Sequence, residues 1–451
     1  MRLTNILMAA AGAMALSGCM VSVTETERTP ALHAMPMAPP MAHGPIHNDD
    51  HHGAAHQTLT RDRLATLDAV MKQYVTDGKL GGAVIKIRQG GREVFSEAYG
   101  WRDREAGVAM QPDTIFRIAS QTKALTSVSI MMLMEEGKLV LEDPVSKFLP
   151  EWEKTTVAVA DPKAKSGYDV VPAKRPITIR DLLSHTAGVS YGTGPAEKAW
   201  RDAGIFGWYF ADKSVPVSDV VAKMAKLPMA AQPGEQWVYG YNTDILGVVV
   251  EKLSGKSLDV FFKERLIDPL GMVDTTFCLP PEKANRLAVV YTAVNGKAER
   301  AANPGKWEGS GHIGQGHYAG GPCKAFAGGA GLLSTASDYS RFLEILRQGG
   351  TVDGKRYISR NSVELMSHDT LVSAPYQAGQ GFGLGFRITK DPSKMGNLGS
   401  VGDFGWGGAY HSTYWVDPKE DLTVVYMTQL IPAGGLEEQA KIRTLIYSAL
   451  E

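Results

Sequence analysis

Net charge is almost absent from this chain, because 47 lysines and arginines face 48 aspartates and glutamates, which leaves −1 at pH 7. Such a balance argues against a nucleic acid as the main partner. Long apolar runs are missing after the N-terminus, so the rest of the chain predicts no bilayer-spanning segment. The 44% hydrophobic content of the 451 residues is that of an ordinary globular protein, enough for one large domain or two small ones.

Cysteine is also scarce, and the first of three cysteines falls in a targeting segment. Arg2 precedes a short apolar core at residues 6–16, and Leu-Ser-Gly-Cys at 16–19 resembles a bacterial lipobox. The resemblance implies that 1–19 is a lipoprotein signal peptide and that Cys19 carries the lipid. Since Met20 is not aspartate, we expect a periplasmic protein anchored at the outer membrane. An ordinary secretory signal with an incidental cysteine is the alternative.

The sequence does not determine whether the two remaining cysteines, Cys278 and Cys323, are paired or free. An oxidising periplasm would allow them to pair. The sequence does not say whether they approach each other, so buried free thiols fit equally well.

Residues 20–57 are rich in proline, alanine, methionine and histidine and show no apolar periodicity, which predicts a disordered tether. Histidine and methionine together can hold soft metals such as copper, but their spacing here matches no defined site. We therefore expect a linker that lets the protein stand off the membrane, with no required metal. The folded domain would then occupy 58–451.

Periodic patterns in that domain predict an α+β fold. Strand signals lie near both ends of the chain, at a hairpin around Gly90-Gly91 and at residues 382–388, 411–416 and 422–428, and a further hairpin signal lies in the middle region at Asn295-Gly296. Helical spacing occurs at 64–75, 120–136 and 436–450, and residues 140–325 are mainly helix and loop. The simplest packing is one antiparallel sheet built from both chain ends, flanked by helices, with an inserted and mainly helical lobe. An active site at the seam between the two would be usual.

Ser120-Gln121-Thr122-Lys123 is the sequence's one Ser-x-x-Lys, placed where a short apolar run gives way to an apolar helix. A serine hydroxyl needs a base within hydrogen-bond reach to act as a nucleophile. Residues i and i+3 share a helix face, so the Lys123 amine can reach the Ser120 oxygen. The motif is that of serine β-lactamases and penicillin-binding proteins. Alone, it also fits a capping serine followed by a surface lysine.

A second motif, Pro-Gly-Glu-Gln-Trp-Val-Tyr at 233–239, carries a family resemblance. Here the chain resembles the class C β-lactamases and penicillin-binding-like serine hydrolases, and within them the family VIII carboxylesterases. The resemblance runs from about residue 60 to the end of the chain. It implies that Tyr239 lies beside the nucleophile and takes the serine proton with the help of Lys123.

The third motif, Trp406-Gly407-Gly408-Ala409, precedes a predicted strand. β-Lactamases usually have Lys-Thr-Gly here to hold a substrate carboxylate, whereas the esterase branch commonly has tryptophan. The resemblance implies that the N–H groups of Ser120 and Ala409 form the oxyanion hole, where one donor is typically worth ~10²–10³ in rate. It also implies that Trp406, Gly407 and Gly408 bind substrate.

Two departures from the class C pattern affect the expected substrate. Class C enzymes carry Tyr-x-Asn, whereas here Tyr241 stands after Gly240 and Asn242 comes one residue late. Together with Trp406, this weakens the case for β-lactam hydrolysis and favours an uncharged ester. We expect Tyr241 and His411 to line the substrate pocket.

Gly-Val-Ser-Tyr-Gly at 188–192 fits the Gly-x-Ser-x-Gly pattern of α/β-hydrolases. That motif needs a preceding strand, but a predicted helix and loop precede it here, so Ser190 is not expected to be the nucleophile. His185 and His411 lack the acidic spacing that would suggest a triad.

The sequence therefore predicts a serine hydrolase that cleaves carboxylic esters of small molecules through a Ser-Lys-Tyr acyl-enzyme, without a metal or organic cofactor. Activity on β-lactams or peptidoglycan peptides and acyl transfer to an alcohol remain alternatives.

Overall fold

A computed structural model describes residues 58–371 and 376–450. The predictions on Cys19 and on the 20–57 tether lie outside the described residues. The strands are β1 (Gly82–Gln89), β2 (Arg92–Asp103), β3 (Val108–Ala109), β4 (Phe116–Arg117), β5 (Thr156–Ala160), β6 (Tyr168–Pro172), β7 (Tyr291–Val294), β8 (Lys297–Arg300), β9 (Lys306–Glu308), β10 (Gly311–Ile313), β11 (Leu333–Ser334), β12 (Thr351–Val352), β13 (Lys355–Arg356), β14 (Gln380–Phe382), β15 (Arg387–Thr389), β16 (Phe404–Gly408), β17 (Ser412–Asp417) and β18 (Leu422–Thr428).

The α-helices are α1 (Ala65–Thr76), α2 (Thr122–Glu135), α3 (Ile179–Leu183), α4 (Glu197–Asp202), α5 (Val217–Met224), α6 (Asn242–Ser254), α7 (Leu258–Phe262), α8 (Asp268–Leu270), α9 (Ala336–Arg347), α10 (Arg360–Met366), α11 (Pro392–Met395) and α12 (Glu438–Tyr447). A 3₁₀ turn at Ala119–Gln121 leads into α2. Among the described residues no helix has the length and apolarity to cross a membrane.

One antiparallel sheet joins the two ends of the domain, as the sequence predicts. Its strand order is β14-β15-β16-β17-β18-β1-β2-β3, so β18 from the end of the chain lies beside β1 from its start. Ala83 pairs with Thr428 and Gln89 with Leu422 across that central junction. The predicted hairpins at Gly90-Gly91 and Asn295-Gly296 are confirmed as β1–β2 and β7–β8.

The two faces of the sheet bury two different cores, because successive strand side chains point to opposite faces. Val84 and Val425 point into the larger core, which also contains α2 and α6. Their neighbours Ile85 and Val424 point into a smaller core closed by α1 and α12. Every residue of α2 from 122 to 133 is buried, so this helix runs through the interior and holds its first turn rigidly.

One strand prediction needs correction, and one strand was not predicted. The run predicted as a single strand at 382–388 is the hairpin β14–β15, because the chain turns at Gly385. Gly385 has φ +105°, and a Cβ there would lie 2.3 Å from Ser127 Oγ, so the turn requires glycine. Trp406 to Gly408 precede the predicted strand, which is β17, and they also belong to a strand of their own, β16, in which they pair with Tyr414 to Ser412. Three of the five residues of β16 are glycines, so its sequence shows no alternation of apolar and polar side chains that would predict a strand.

Cys278 and Cys323 form a disulfide with their Cα atoms 5.8 Å apart, which resolves the alternatives that the sequence leaves open. The bond closes a loop with a sequence separation of 45 residues. It therefore ties the segment around Cys323 to the segment that follows α8.

Candidate active site

Ser120 lies on the 3₁₀ turn that leads into α2, and its side chain reaches a cleft. The preceding residue, Ala119, has φ +43°, an uncommon conformation for a residue with a side chain. The serine is 8% exposed and directly precedes the buried helix α2, so the packing of that helix fixes its position at the cleft. The alternative capping role is not observed, because Ser120 makes no side-chain capping bond at this turn or at the start of α2.

Lys123 directs its amine at the Ser120 oxygen. Its Nζ lies 3.2 Å from Ser120 Oγ, 3.0 Å from Tyr191 Oη and 2.7 Å from the Gly329 carbonyl oxygen. A lysine ammonium has three donors, and these three acceptors use all of them. The side chain is 2% exposed, so this is a buried amine with a defined direction and not the surface lysine of the alternative reading.

Tyr239 stands above the same amine, as the family resemblance implies. Lys123 Nζ lies 4.7 Å from the centre of the Tyr239 ring. The Trp406 indole donates from Nε1 to Tyr239 Oη at 3.1 Å. The rings of His185 and Trp237 pack on the tyrosine at centroid distances of 4.9 and 5.6 Å. The phenol is thus held at the cleft by a donor and two aromatic neighbours.

Two further residues of this cluster escaped the sequence analysis. Tyr191 belongs to the segment that mimics an α/β-hydrolase motif, yet its hydroxyl accepts from Lys123. Burial raises the pKa of Tyr191 well above its ordinary value, so it acts as a neutral phenol. No spacing rule connects residue 191 with residue 123.

Asp244 is the second missed residue. It is buried on the first turn of α6 and accepts the Gly329 N–H at 2.9 Å, while the carbonyl of that glycine accepts from Lys123. Burial raises the pKa of Asp244 to about 6, against the opposing effect of the Lys123 charge. The available signal was an acid directly before the apolar run at residues 245–250, since a buried carboxylate needs a partner.

The C-terminal end of β16 borders the cleft and lies close to the 3₁₀ turn that carries Ser120, which is called the nucleophile turn below. A Cβ on Gly408 would lie 2.5 Å from the Ile118 carbonyl oxygen, so only glycine allows this approach. Ala409 follows directly, which brings its backbone to the region of Ser120. The cleft is lined by Ser120, Tyr191, Trp208, Tyr239, Tyr376, Gln377, Gln380, Arg387, Trp406, Gly407, Gly408, Ala409, Thr413 and Gln439.

Two predicted pocket residues lie elsewhere. Tyr241 is 1% exposed and donates its hydroxyl to the Gly207 carbonyl at 2.6 Å, among Trp200 and Phe210. It turns inward because it caps the buried helix α6. His411 has its Nε2 2.6 Å from the buried carboxylate of Glu438, on α12, and does not line the cleft.

Ser190, the serine of the Gly-x-Ser-x-Gly pattern, makes contacts that do not suit a nucleophile. Ser190 is 2% exposed and donates to the Thr193 carbonyl at 2.7 Å.

The His185 ring bonds through Nδ1 to Asn242 at 2.8 Å. Burial, and then the Lys123 charge, hold the pKa of His185 well below its usual range. Asn242 is therefore also turned away from the cleft, as its displaced position in the sequence suggests.

The chain is similar to known proteins over most of its length. The model of the family described as Beta-lactamase matches residues 67–446. Protein Rv1367c of Mycobacterium tuberculosis is 36% identical over 83% of this chain and 92% of its own length. Lovastatin esterase of Penicillium rubens is 30% identical, covering 82% and 94%, and esterase EstB of Burkholderia gladioli is 29% identical, covering 82% and 91%.

Among solved structures, the chain is similar to "EstCE1, a hydrolase with promiscuous acyltransferase activity". The TM-score is 0.72 at 27% identity, and the match covers 86% of this chain and 99% of that one. The similarity thus extends over nearly all of the described residues.

Proposed function

Because the chain belongs to the beta-lactamase family, we propose that it cleaves carboxylic esters through an acyl-enzyme on Ser120, with Lys123 and Tyr239 moving the proton. The chain is a serine ester hydrolase, as its esterase relatives are. The observation that carries the proposed roles is the buried Lys123 amine, 3.2 Å from Ser120 Oγ and directly beneath the Tyr239 ring.

In the first step, Ser120 Oγ attacks the ester carbonyl carbon while its proton passes to Tyr239 Oη, which enters the step as a phenolate beside the Lys123 ammonium. The carbonyl π electrons move onto oxygen, and the resulting oxyanion takes hydrogen bonds from the N–H groups of Ser120 and Ala409. Preorganised donors of this kind are typically the largest catalytic contribution. The carbon–oxygen bond to the alcohol then breaks, and the alcohol leaves with the proton from Tyr239.

In the second step, water attacks the acyl-enzyme carbonyl and gives its proton to the same Tyr239–Lys123 pair. Ser120 takes that proton back as the acid leaves. An alcohol in place of water would give acyl transfer. The proton of Ser120 has left with the alcohol and a proton from water replaces it, so the enzyme returns to its starting state. No atom changes its oxidation state, so this acyl transfer needs no redox partner.

Two features favour esters over β-lactams. Trp406 occupies the position where β-lactamases hold a substrate carboxylate with lysine. Asn242 is fully buried and bonds to His185, so it cannot contact a substrate amide. The cleft therefore offers an ester carbonyl its nucleophile and its proton donor but lacks the amide contact.

The first test is a parallel assay of the purified protein on p-nitrophenyl butyrate and nitrocefin. We expect ester turnover in the wild type and in Ser190→Ala, with little nitrocefin cleavage. Ser120→Ala should fall to the buffer blank. Comparable or faster nitrocefin cleavage would replace the esterase proposal by a β-lactamase one, and loss in Ser190→Ala alone would contradict the nucleophile assignment.

We also propose that the protein is a periplasmic lipoprotein, anchored through Cys19 and held off the membrane by residues 20–57. Support comes from the lipobox-like sequence and from the Cys278–Cys323 disulfide, which is typical of an oxidising compartment. Metabolic labelling with a fatty acid tests the anchor. The label should be incorporated by the wild type and absent from Cys19→Ser, and equal labelling of both would contradict the proposal.

A further inference from the structure

Arg387 contributes a cation to the cleft that contains Ser120. It begins β15, where it pairs with Phe382 of β14 and with Gly405 of β16. It lines the cleft together with Trp406 and the amide side chains of Gln377, Gln380 and Gln439. The side chain is half-buried in the edge of the large sheet.

The guanidinium of Arg387 has no partner among residues 58–371 and 376–450. Its Nε is buried without a hydrogen bond, and no ion pair joins the group to a described carboxylate. Asp403, whose charge acts on Arg387, is already bound by Arg443. Burial, and then the charge of Arg443, lower the pKa of Arg387, but a guanidinium stays protonated in proteins.

A partly buried guanidinium with a buried Nε that lacks a hydrogen bond is incompletely satisfied, so an anion that enters the cleft gains by meeting it. Guanidinium and carboxylate match each other through two parallel hydrogen bonds. Gln380 also has a buried Oε1 without a partner in the described residues, and its amide can rotate to present N–H donors instead. The arrangement is therefore complementary to a carboxylate.

The position of Arg387 indicates which part of the ester would carry that carboxylate. Tyr239 protonates the leaving alcohol in the proposed reaction, and Trp406 bonds to Tyr239. Arg387 lies beyond Trp406, opposite Gly405. Gly405 precedes Ala409, the residue after β16, by four residues, which span about 13 Å at the usual strand rise, so the anion lies several bonds from the scissile oxygen.

We propose that Arg387 binds a carboxylate in the alcohol part of the substrate. This inference rests on the proposed esterase function and names its substrate class: carboxylic esters of hydroxy acids. It revises the expectation of an uncharged ester, which followed from Trp406. Where β-lactamases have a lysine, this chain has Trp406. Arg387 supplies the positive charge instead, from the neighbouring strand β15 and farther from Ser120.

The test uses the full-length protein and two butyrate esters of equal shape. One has 4-hydroxybenzoate as its alcohol part and the other the neutral 4-hydroxybenzamide. We expect wild type to prefer the anionic ester in kcat/KM. Arg387→Gln should lower kcat/KM for that ester by about 10- to 100-fold, mainly through KM, because a hydrogen-bonded charge pair is lost. The neutral ester should change by less than about twofold.

Lys390→Gln is the matched control, since it removes the same charge just after β15. Lys390 pairs with Asp369 and does not line the cleft, so both esters should keep their wild-type values. Arg387→Lys should restore part of the preference, because the charge returns without the two-pronged geometry.

An unchanged preference in Arg387→Gln, or equal losses on both esters, would overturn the proposal. If that variant also unfolded at lower denaturant concentration, Arg387 would be assigned to a structural role beside Asp403. A different result would contradict the proposed esterase function, namely turnover of both esters that persists in Ser120→Ala.

Discussion

The Trp406 indole donates a hydrogen bond to the hydroxyl oxygen of Tyr239 at 3.1 Å, so the residue that replaces the β-lactamase lysine contacts the proposed proton carrier directly. Trp406→Phe keeps an aromatic ring and removes the donor. The expected result is a fall in kcat of roughly 2- to 10-fold on p-nitrophenyl butyrate, the typical worth of one hydrogen bond. Steady-state kinetics measure it.

Trp237→Phe is the control for this change. Trp237 also stacks on Tyr239, but its Nε1 has no hydrogen-bond partner in the described residues. Its replacement should leave kcat close to wild type. A larger loss in Trp237→Phe than in Trp406→Phe would show that ring packing, and not the hydrogen bond, is what Trp406 provides.

Tyr191→Phe removes one of the three acceptors that fix the Lys123 amine. We expect kcat to fall by about 10-fold, because the amine then points less accurately at Ser120. Tyr239→Phe should cost far more, about 10²–10⁴, which is the usual contribution of a general acid or base. The neighbouring Ser190→Ala should have no effect on kcat. Equal losses in the two tyrosine variants would contradict the assignment of distinct roles.

Gly408→Ala places a Cβ 2.5 Å from the Ile118 carbonyl and should push β16 away from the nucleophile turn. A displacement of about 1 Å at an active site can cost ~10² in rate, and we expect a loss of that order in kcat. Gly311→Ala, where the nearest atoms would lie 3.6 Å from the new Cβ, is the control and should stay active. Full activity of Gly408→Ala would mean that β16 does not shape the oxyanion site.

Much of this architecture follows from sequence patterns. Ser120 and Lys123 could be placed together because a single helix sets their spacing, and Tyr239 followed from the family resemblance. Tyr191, Asp244 and Arg387 were missed, since their roles depend on contacts between segments far apart in the chain. Tyr241 and His411 were misplaced for the converse reason, because they are near site residues in sequence. The side chain of Tyr241 instead bonds to the Gly207 carbonyl, and that of His411 pairs with Glu438 of α12.

Asp244 gives the protein a predicted pH dependence of stability. Burial raises its pKa from 3.8 to about 6, so the folded state holds the proton more tightly than the unfolded chain. The stability from this group is therefore fully present below pH 4 and is lost as the pH rises through about 6. Asp244→Asn, which stays neutral, should gain on the order of 3 kcal/mol relative to wild type between pH 4 and pH 7.

Urea unfolding of both proteins across that range measures the difference. A constant difference in free energy of unfolding would show that Lys123 keeps Asp244 ionised throughout, and it would contradict the predicted titration.

The most direct test of the catalytic account is to find the acyl group itself. The protein is mixed with p-nitrophenyl butyrate, quenched in acid within the first turnovers and digested for mass spectrometry. We predict one butyryl group on the peptide that contains Ser120, in the wild type and in Ser190→Ala, and none in Ser120→Ala. A butyryl group on Ser190, or an adduct that persists in Ser120→Ala, would contradict the account.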